Sequence, residues 1–445
     1  MRVFSPSKSP KDCKVDRLVD HLFRHEAGRL VSLLTGIFGV RHLQLAEDVV
    51  QEALMRALNT WPFYGIPDNP PAWLMQTAKH LAIDKLRRER RFLEKQPEIL
   101  HFLNTQLSNT GQYEGDGFDE TIKDRQLCLI FICCHPVLPE KQQVALALKV
   151  LCGFNTAEIA RAFLVSEATM AKRLTRARSA LSKPDVAFEI PEGEALKLRL
   201  GAVLQALYLL FNEGYKASEG DRLIRTDLCD EAIRLTTLVA AAPQVCRPEV
   251  HALLALMCLN AARFPARLDA GGRLQLLEDQ DRSLWDRSLI QRGLCHLAAS
   301  TGGDTASEYH LQATISACHC LATDDASTDW KRVLSLYDKL LVIKPSPIAA
   351  LNRAVAVAKV HGPSKAIAMI KTLLETHSLD SYPLAHAVLG DLEIRRRQPV
   401  AAASHFERAL KLTKVTSEQA FLSNRLSKCA VSTPFSSPQN PDRNL

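Results

Sequence analysis

Hydrophobic residues recur every three or four positions along most of this chain. The spacing is clear in an opening segment and returns from Leu45 onward; the opening positions are Leu18, Leu22, Leu30, Leu33 and Leu34. Side chains three and four positions apart share one face of an α-helix, whereas those of a strand alternate every second position. The pattern therefore predicts an all-α protein whose helices each bury one face.

Interruptions of this pattern predict how the chain is divided. Between residues 94 and 120 the periodicity fades, and Gly111, Gly115 and Gly117 appear among polar residues, as is typical of a linker. We therefore expect small helical domains at 15–93 and 121–183. A longer helical extension should follow at 191–425, with a disordered tail at 426–445.

The segment from Leu45 to Leu58 has one apolar and one acidic, amide-bearing face. The apolar positions are Val49, Ala53 and Leu54, and the polar ones are Glu47, Asp48, Gln51 and Glu52. By itself such a polar face is more often solvated than functional. Residues 62–71 contain too much proline to continue the helix, so a loop should present its side chains outward there.

The next predicted helix runs from Ala72 to Arg91 and combines aromatic, polar and basic groups. One stripe holds Trp73, Thr77, His80 and Asp84, and the end holds Lys85, Arg87, Arg88, Arg90 and Arg91. Basic side chains neutralise phosphates and release counterions, while aromatic rings stack on bases. This combination favours contact with an unpaired nucleic-acid strand over a merely solvated charge run.

Residues 153–178 have the pattern of a helix-turn-helix. Thr156 and Ser166 are the predicted N-caps of two short helices. The first helix offers Ile159, Ala160 and Phe163 to pack against Met170 and Leu174 of the second. The start of the second helix, Glu167 to Thr169, should approach bases, while its basic residues hold phosphates; these are Lys172, Arg173, Arg176 and Arg178.

The extension opens with an apolar helix, Ala195–Leu210, and ends with a faint period of about 35 residues. Alanine-rich segments at 349–356 and 366–370, then 384–390 and 401–412, pair as two-helix units do in tetratricopeptide-like arrays. The charged segment 269–282 lacks the spacing of a phosphate loop or an EF-hand. We interpret it as a turn and a structural charge network near Trp285; its charged members are Glu278, Asp279, Asp281 and Arg282.

Composition and charge narrow the expected cellular location of the protein and the state of its cysteines. The chain is 47% hydrophobic with a formal net charge of +7, which is mild for 445 residues, so local charge matters more than the sum. It has no apolar run of 18 residues and no apolar signal core near Met1, so we expect a cytoplasmic protein without membrane contact. The 12 cysteines should therefore be reduced thiols.

Two clusters contain cysteine and histidine, the side chains that bind zinc, but both lie in apolar helical segments. They are Cys128 with Cys133, Cys134 and His135, and Cys318 with His319 and Cys320. Neither has a paired knuckle, so small buried thiols are favoured over a metal and no cofactor is predicted. No nucleophile elbow, H-E-x-x-H or glycine-rich phosphate loop is present, so no catalytic residue is assigned and the chain is not expected to be an enzyme.

The order of these segments resembles the extracytoplasmic-function sigma factors of RNA polymerase. The resemblance lies in Ala46–Ala53, Ala72–Arg88 and Glu158–Arg178 and covers the chain from Asp20 to about Lys183. It implies that Asp48, Gln51 and Glu52 bind core RNA polymerase. It further implies that the promoter element near −10 is read by Trp73, Thr77, His80, Asp84, Arg87 and Arg88, and the element near −35 by Glu167, Thr169, Lys172, Arg173 and Arg176.

The extension resembles that of a sigma-factor subgroup with a tetratricopeptide-like C-terminal domain. The similar segments are Leu209–Tyr215, Leu228–Leu235, Leu277–Asp286 and Leu351–Ala356. The resemblance implies a helical-repeat domain that modulates promoter-specific initiation and binds a peptide or protein partner. The alternative is a stand-alone helix-turn-helix regulator with a repeat-based sensor, although such a regulator needs neither the acidic helix nor the Trp-bearing basic helix.

Overall fold

The computed structural model describes residues 26–88, 116–163, 165–183, 186–215, 224–269, 273–302, 305–377 and 379–431. These residues are helical with short connections, which confirms the all-α prediction. Within them there is no strand, and an isolated antiparallel bridge joins Leu268 to Leu274. In the same part of the chain, no helix combines the length and apolar character needed to cross a membrane.

The chain forms two compact units. The first contains the residues up to 211 together with 230–245, and the second contains 212–229 and the residues from 246 onward. In the first unit, the helices up to the end of the helix-turn-helix are α1 (26–38), α2 (Leu43–Tyr64), α3 (Pro70–Arg88), α4 (Asp116–Cys133), α5 (Glu140–Leu151), α6 (Thr156–Ala162) and α7 (Glu167–Leu181).

Two further helices, α8 (Gly193–Tyr215) and α9 (Thr226–Ala241), contribute to both units. Within the first unit, Val203 and Leu207 of α8 and Leu235 of α9 share an apolar cluster with α4 and α5, including Ile130 and Leu148. These five side chains are buried. The first residues of the predicted extension therefore complete the core beneath the helix-turn-helix rather than lying apart from it.

Three predicted boundaries are wrong. Helix α2 continues through Pro62 to Tyr64, so the proline does not end it; the helix ends at Gly65, whose N–H donates to the Trp61 carbonyl. Helix α4 begins by Asp116, so the predicted linker at 94–120 loses its last five residues to a helix. The last helix extends to Val431, so 426–431 is not disordered, and residues 432–445 lie outside the described residues.

The second unit continues with α10 (Pro248–Ala261), the single turn α11 (Phe264–Arg267) and α12 (Arg287–Ala299). The remaining helices are α13 (Glu308–Leu321), α14 (Trp330–Ile343), α15 (Pro347–His361), α16 (Pro363–His377), α17 (Pro383–Arg395), α18 (Pro399–Leu412) and α19 (Thr416–Val431). Each begins at or beside a residue suited to a helix start, such as the prolines that open α15 to α18, where a missing N–H costs nothing.

Antiparallel pairs α15–α16 and α17–α18 begin at Pro347 and Pro383, in agreement with the period of about 35 residues. Leu351 of α15, Ile370 of α16 and Leu389 of α17 are fully buried in one shared core. A pair of helices cannot bury its apolar face alone, and stacking on the next pair completes the core. Three alanines of the segments that the sequence pattern singled out, Ala354, Ala366 and Ala385, are fully buried in the same core.

The predicted charge network is present with different partners. Trp285 is buried and the Arg282 guanidinium lies 5.0 Å from its ring, while Arg282 itself donates to backbone carbonyls of His319 and Ala322. Glu278 is bound by Lys359 at 2.7 Å and Arg395 at 2.6 Å rather than by Arg282. The partners come from distant helices, which spacing along segment 269–282 could not reveal.

Candidate nucleic-acid interface

Helix α7 presents a polar surface to solvent and packs its apolar side. Ser166 caps it, since its side chain accepts a hydrogen bond from the Thr169 N–H at 3.3 Å. The buried positions are Met170, Leu174, Ala177 and Leu181. The exposed ones are Glu167, Thr169, Lys172 and Arg176, with Arg173 half-buried beside them. Five of the six side chains predicted to lie at DNA are thus on one accessible side.

The helix before it begins differently from the sequence expectation. Asn155, not Thr156, is the N-cap of α6: its side chain accepts from the Glu158 N–H at 2.8 Å, and the Glu158 carboxylate accepts from the Asn155 N–H at 2.9 Å. This reciprocal arrangement satisfies two N–H groups that the helix start leaves without intrahelical partners. The Thr156 cap was wrong because an amide one residue earlier reaches the same donors.

Arg178 is the sixth predicted DNA-binding residue, and it points elsewhere. Its Nε and Nη2 donate to the two carboxylate oxygens of Glu47 on α2, at 2.7 and 2.9 Å. Burial lowers the pKa of Arg178, but the hydrogen bond and charge of Glu47 outweigh that effect, so its pKa is raised and the guanidinium stays charged. Its contact with DNA stays a prediction for a state in which this pair is open.

The polar face of α2 is divided between solvent and internal partners. Asp48 and Gln51 are exposed as predicted, whereas Glu47 is only 5% exposed, so its placement on a solvated acidic face was wrong. Glu52 forms ion pairs with Arg56 at 3.0 Å and with Lys85 of α3 at 3.4 Å. Glu52 therefore also joins α2 to α3, a role that helix periodicity alone does not indicate.

Along helix α3, the predicted stripe of side chains changes from half-buried positions near the start to exposed positions farther along. Trp73 is half-buried, and its ring lies edge-on to Trp61 of α2 with centroids 5.5 Å apart. Thr77 is half-buried, and His80 and Asp84 are exposed farther along the same helix. Arg87 and Arg88 belong to the last turn of α3, but their side chains lie outside the described ones. The Trp61–Trp73 contact joins the start of α3 to the end of α2.

Two aromatic residues at the end of α2 were not singled out by the sequence. Phe63 is 83% exposed and Tyr64 is 89% exposed, and Gly65 follows with φ near 89°, which turns the chain toward α3. Single exposed apolar side chains are common, but adjacent ones form a contiguous patch of the kind that marks an interaction surface. The proline-rich context predicted an outward loop, and the adjacent Phe-Tyr pair was the signal that could have identified them.

The candidate metal clusters combine buried side chains with half-buried ones, Cys128, His135 and Cys318. Cys133 and Cys134 are fully buried, and burial raises the pKa of both thiols, that of Cys134 to about 12. Burial lowers the pKa of His319 to about 3, and Cys320 beside it is also buried. Among the residues that the structure describes, no group of three His, Cys, Asp or Glu side chains has metal-binding geometry.

Three segments of the chain match known protein families. Residues 22–92 match sigma-70 region 2, and residues 128–181 match sigma-70 region 4. Residues 199–301 match a family of unknown function, DUF6596. The first match includes α1 to α3, and the second includes the end of α4 and all of α5 to α7. The two candidate nucleic-acid surfaces therefore lie within region 2 and region 4.

Relatives of known organisms extend this comparison. Uncharacterized protein R00370 of Rhizobium meliloti is 40% identical over 395 residues, which covers 88% of this chain and 91% of that protein. The ECF RNA polymerase sigma factor EcfG of Rhodopseudomonas palustris is 31% identical, over 31% of this chain and 69% of that protein. A protein of Haemophilus influenzae named "Probable RNA polymerase sigma factor" is 27% identical, over 31% of this chain and 76% of that protein.

Proposed function

This chain belongs to the extracytoplasmic-function family of RNA polymerase sigma factors, which are transcription initiation factors and not enzymes, and we propose how its surfaces divide that work. In the proposed division, α2 binds core RNA polymerase, α3 with the α2–α3 loop reads the −10 element, and α7 reads the −35 element. The helices after α9 form a tetratricopeptide-like domain that modulates initiation in the cytoplasm.

The observation that carries the proposal is the one-sided exposure of α7. A helix that enters a major groove must be anchored by one side and free on the other, and its N-terminal residues approach base edges. Glu167 and Thr169 lie exposed at that end, and Lys172 and Arg176 lie exposed farther along. In the proposed complex, the first two approach bases, while Lys172, Arg173 and Arg176 hold phosphates or base edges.

The −10 surface combines a basic helix with aromatic planes. Trp73, Thr77, His80 and Asp84 lead along α3 toward Arg87 and Arg88. Phe63 and Tyr64 lie exposed just before this helix in the chain. Aromatic rings stack on unpaired bases at about 1–3 kcal/mol per base, and this contact does not depend on base identity. We therefore add Phe63 and Tyr64 to the residues proposed to contact the opened strand.

The core-binding surface is proposed to consist of Asp48, Gln51 and Glu52. Asp48 and Gln51 are exposed one helical turn apart on α2. Glu52 is half-exposed and held by Arg56 and Lys85, which fixes its carboxylate. A polar surface of this kind selects its partner by charge and does not demand permanent association.

The extension has a proposed partner of its own. In the proposed tetratricopeptide-like array, stacked helix pairs such as α15–α16 and α17–α18 form an extended surface for a peptide or protein ligand. The first helices of the extension also complete the core of region 4, because Val203 and Leu207 pack with Leu148. We propose that a partner bound to the repeats influences promoter recognition through α8 and α9, the helices that belong to both units.

The test is promoter-specific transcription in vitro with purified core polymerase and the full chain. We expect initiation by the wild type, and loss of core binding when Asp48 and Gln51 are both changed to lysine. Gln44→Lys controls for a lysine introduced elsewhere on α2, since Gln44 is exposed on the same helix outside the proposed surface. DNA binding without a core complex under any condition would instead support the stand-alone regulator.

A further inference from the structure

A cysteine and two histidines of the second unit form a chain of polar contacts. The Sγ of Cys246 lies 3.3 Å from Nε2 of His251, and Nδ1 of His251 lies 3.1 Å from Nδ1 of His296. The two imidazole rings are nearly parallel, with centroids 5.2 Å apart. A nucleophile beside a base, with a third group holding the far side of the base, is the arrangement by which proteins activate weak nucleophiles.

Close packing of α10 and α12 brings the two histidines together. Gly293 of α12 is buried, and a Cβ there would come within 2.7 Å of the Leu259 side chain and 3.3 Å of the Ala255 carbonyl oxygen on α10. His251 lies one turn before Ala255, and His296 lies one turn after Gly293. The helices therefore run antiparallel at this close approach, and their next turns place the two rings side by side.

The start of α10 holds Cys246 beside the first ring. Cys246 directly precedes Arg247, the N-cap of α10, and Pro248 opens the helix. The Arg247 guanidinium donates to the Cys246 carbonyl oxygen at 2.7 Å, so a permanent positive charge lies beside the residue that carries the thiol. A nearby positive charge favours the negative charge that a reacting sulfur develops. Cys246 therefore has both a base and a cation beside it.

Hydrogen-bonding capacity assigns the protons of the two rings. Burial lowers the pKa of His296, and neighbouring His251 and Arg292 lower it further, so this ring is neutral near pH 7 and its Nδ1 can accept. His251 then donates from its Nδ1 and presents the lone pair of its Nε2 to the thiol. In the reverse pattern the sulfur would accept, and sulfur is a weak acceptor. His251 is therefore positioned to receive the proton of Cys246.

Accessibility distinguishes this thiol from the buried ones. Cys134 and Cys258 are buried, and burial raises the pKa of their thiols to about 12 and about 11, so both stay protonated. Cys246 and its two histidines are half-buried, so the site borders solvent. Cys295 is more exposed, but its sulfur receives a hydrogen bond from the Gln291 amide at 3.8 Å, and an amide does not take up a proton.

We propose that Cys246 is a site of oxidation by hydroperoxides, with His251 as the base and His296 as the residue that positions it. The sulfur attacks one peroxide oxygen and the O–O bond breaks, while the thiol proton passes through His251 to the departing oxygen. The cysteine becomes a sulfenic acid, and the hydroperoxide is reduced to an alcohol or to water. Thiol reductants then restore the cysteine and release water and a disulfide.

Hydroperoxides fit this site better than electrophiles that only accept the sulfur. Their leaving oxygen needs a proton, and an imidazole that has just received one can return it. The site does not depend on the proposed function, because the sulfur, both rings and the neighbouring cation belong to the second unit. Reversible oxidation gives the extension a chemical input that needs no protein partner.

The experiment measures how fast hydrogen peroxide oxidises individual thiols of the full chain. Dimedone traps each sulfenic acid, and peptide mass spectrometry with fragmentation assigns the adduct to a single cysteine. Cys246 should react at least about tenfold faster than Cys295, because a positioned base accelerates proton transfer by that amount or more. His251→Gln keeps a polar group near the place of Nε2 but cannot take up a proton, so Cys246 should then react about as slowly as Cys295.

His296 acts through His251, and two variants separate positioning from support of the fold. His296→Leu removes the acceptor and should lose most of the advantage of Cys246 over Cys295. His296→Asn keeps an acceptor oxygen near the place of Nδ1 and should restore much of the rate. His361→Gln, at an exposed histidine of α15, is the control and should leave the rate unchanged.

Equal rates at Cys246 and Cys295 in the wild type overturn the proposal, and this comparison needs no variant to fold. A wild-type rate in His251→Gln overturns it as well, because the base is then not needed. Equal slowing by His296→Leu and His296→Asn would remove the positioning role of His296. Thermal transitions of the variants separate lost chemistry from lost folding, and failure to bind core polymerase would overturn the proposed function without affecting this test.

Discussion

Gly28 of α1 lies against the backbone of Leu151 at the end of α5. A Cβ on residue 28 would overlap the carbonyl oxygen of Leu151, and a backbone atom cannot move aside as a flexible side chain can. Gly28 belongs to region 2 and Leu151 to region 4. The absence of a side chain at one helical position therefore determines how closely the two regions pack.

The first prediction is that Gly28→Ala destabilises the first unit. Alanine favours helix over glycine by about 0.5–1 kcal/mol, but overpacking against fixed atoms costs about 1–3 kcal/mol. We expect the free energy of unfolding to fall by about 1–2 kcal/mol in denaturant titrations. Gly201→Ala is the control, since nothing lies within 4 Å of a Cβ at that position of α8. That variant should be as stable as the wild type or more so; equal effects of the two substitutions would contradict the close approach.

The second prediction concerns where the chain can be shortened. A fragment of residues 1–190 lacks α8 and α9, which leaves Ile130 and Leu148 of region 4 without Val203, Leu207 and Leu235. Each large apolar side chain returned to water costs about 1.5–3 kcal/mol, so this fragment should not unfold cooperatively. A fragment of residues 1–245 keeps those contacts and should show a thermal transition. Cooperative melting of the shorter fragment would mean that region 4 does not need the extension.

The sequence predicted most of the fold because local patterns determined it. The spacing of Met170 and Leu174 placed α7 correctly, and Ser166 caps it as expected. Leu196, Leu200 and the next apolar positions of α8 are buried, as their periodicity indicated. Helix periodicity reports which face is buried but not what covers it. The packing of α8 on region 4 could not be predicted for that reason.

The departures occur where two distant segments meet. Helical spacing put Glu47 with Asp48 on one polar face, and only the approach of Arg178, 131 positions along the chain, explains why Glu47 is buried. Glu278 likewise pairs with Lys359 and Arg395 from two later helices. A single sequence does not show which distant residues come into contact. The residue types were informative, but the pairings required the folded chain.

The third prediction separates Arg176 from the other basic residues. Arg176→Ala should weaken binding to a promoter fragment selected with the wild-type chain by about 1–3 kcal/mol if the side chain contacts a base edge. If it contacts a phosphate only, the loss should be smaller and the salt dependence should become less steep. Fluorescence anisotropy at several salt concentrations distinguishes the two. Lys197→Ala removes one exposed positive charge from α8 and should leave binding unchanged; an equal loss there would mean that only total charge matters.

The fourth prediction is an acid sensitivity of the second unit that comes from His319. Its ring is buried edge-on to Trp330, with centroids 5.2 Å apart. Burial, together with the positive charges of Arg263 and Arg282, lowers the pKa of His319 to about 3. The unfolded chain takes up a proton near the ordinary pKa of about 6.5, while the folded chain does not until about pH 3. Stability from this group is therefore complete above about pH 6.5 and is lost as the pH falls toward 3.

The coupling between protonation and folding gives the size of this pH dependence and a way to test it. While only the unfolded state binds the proton, the free energy of unfolding falls by about 1.4 kcal/mol for each pH unit. His319→Leu removes the titrating group and keeps an apolar side chain of similar size, so its unfolding free energy should depend less steeply on pH between 6 and 4 by about that amount. His361→Gln, at an exposed histidine, should keep the wild-type slope. Parallel pH profiles for wild type and His319→Leu would mean that His319 becomes protonated in the folded protein, with the ring and its arginine neighbours rearranged to admit water.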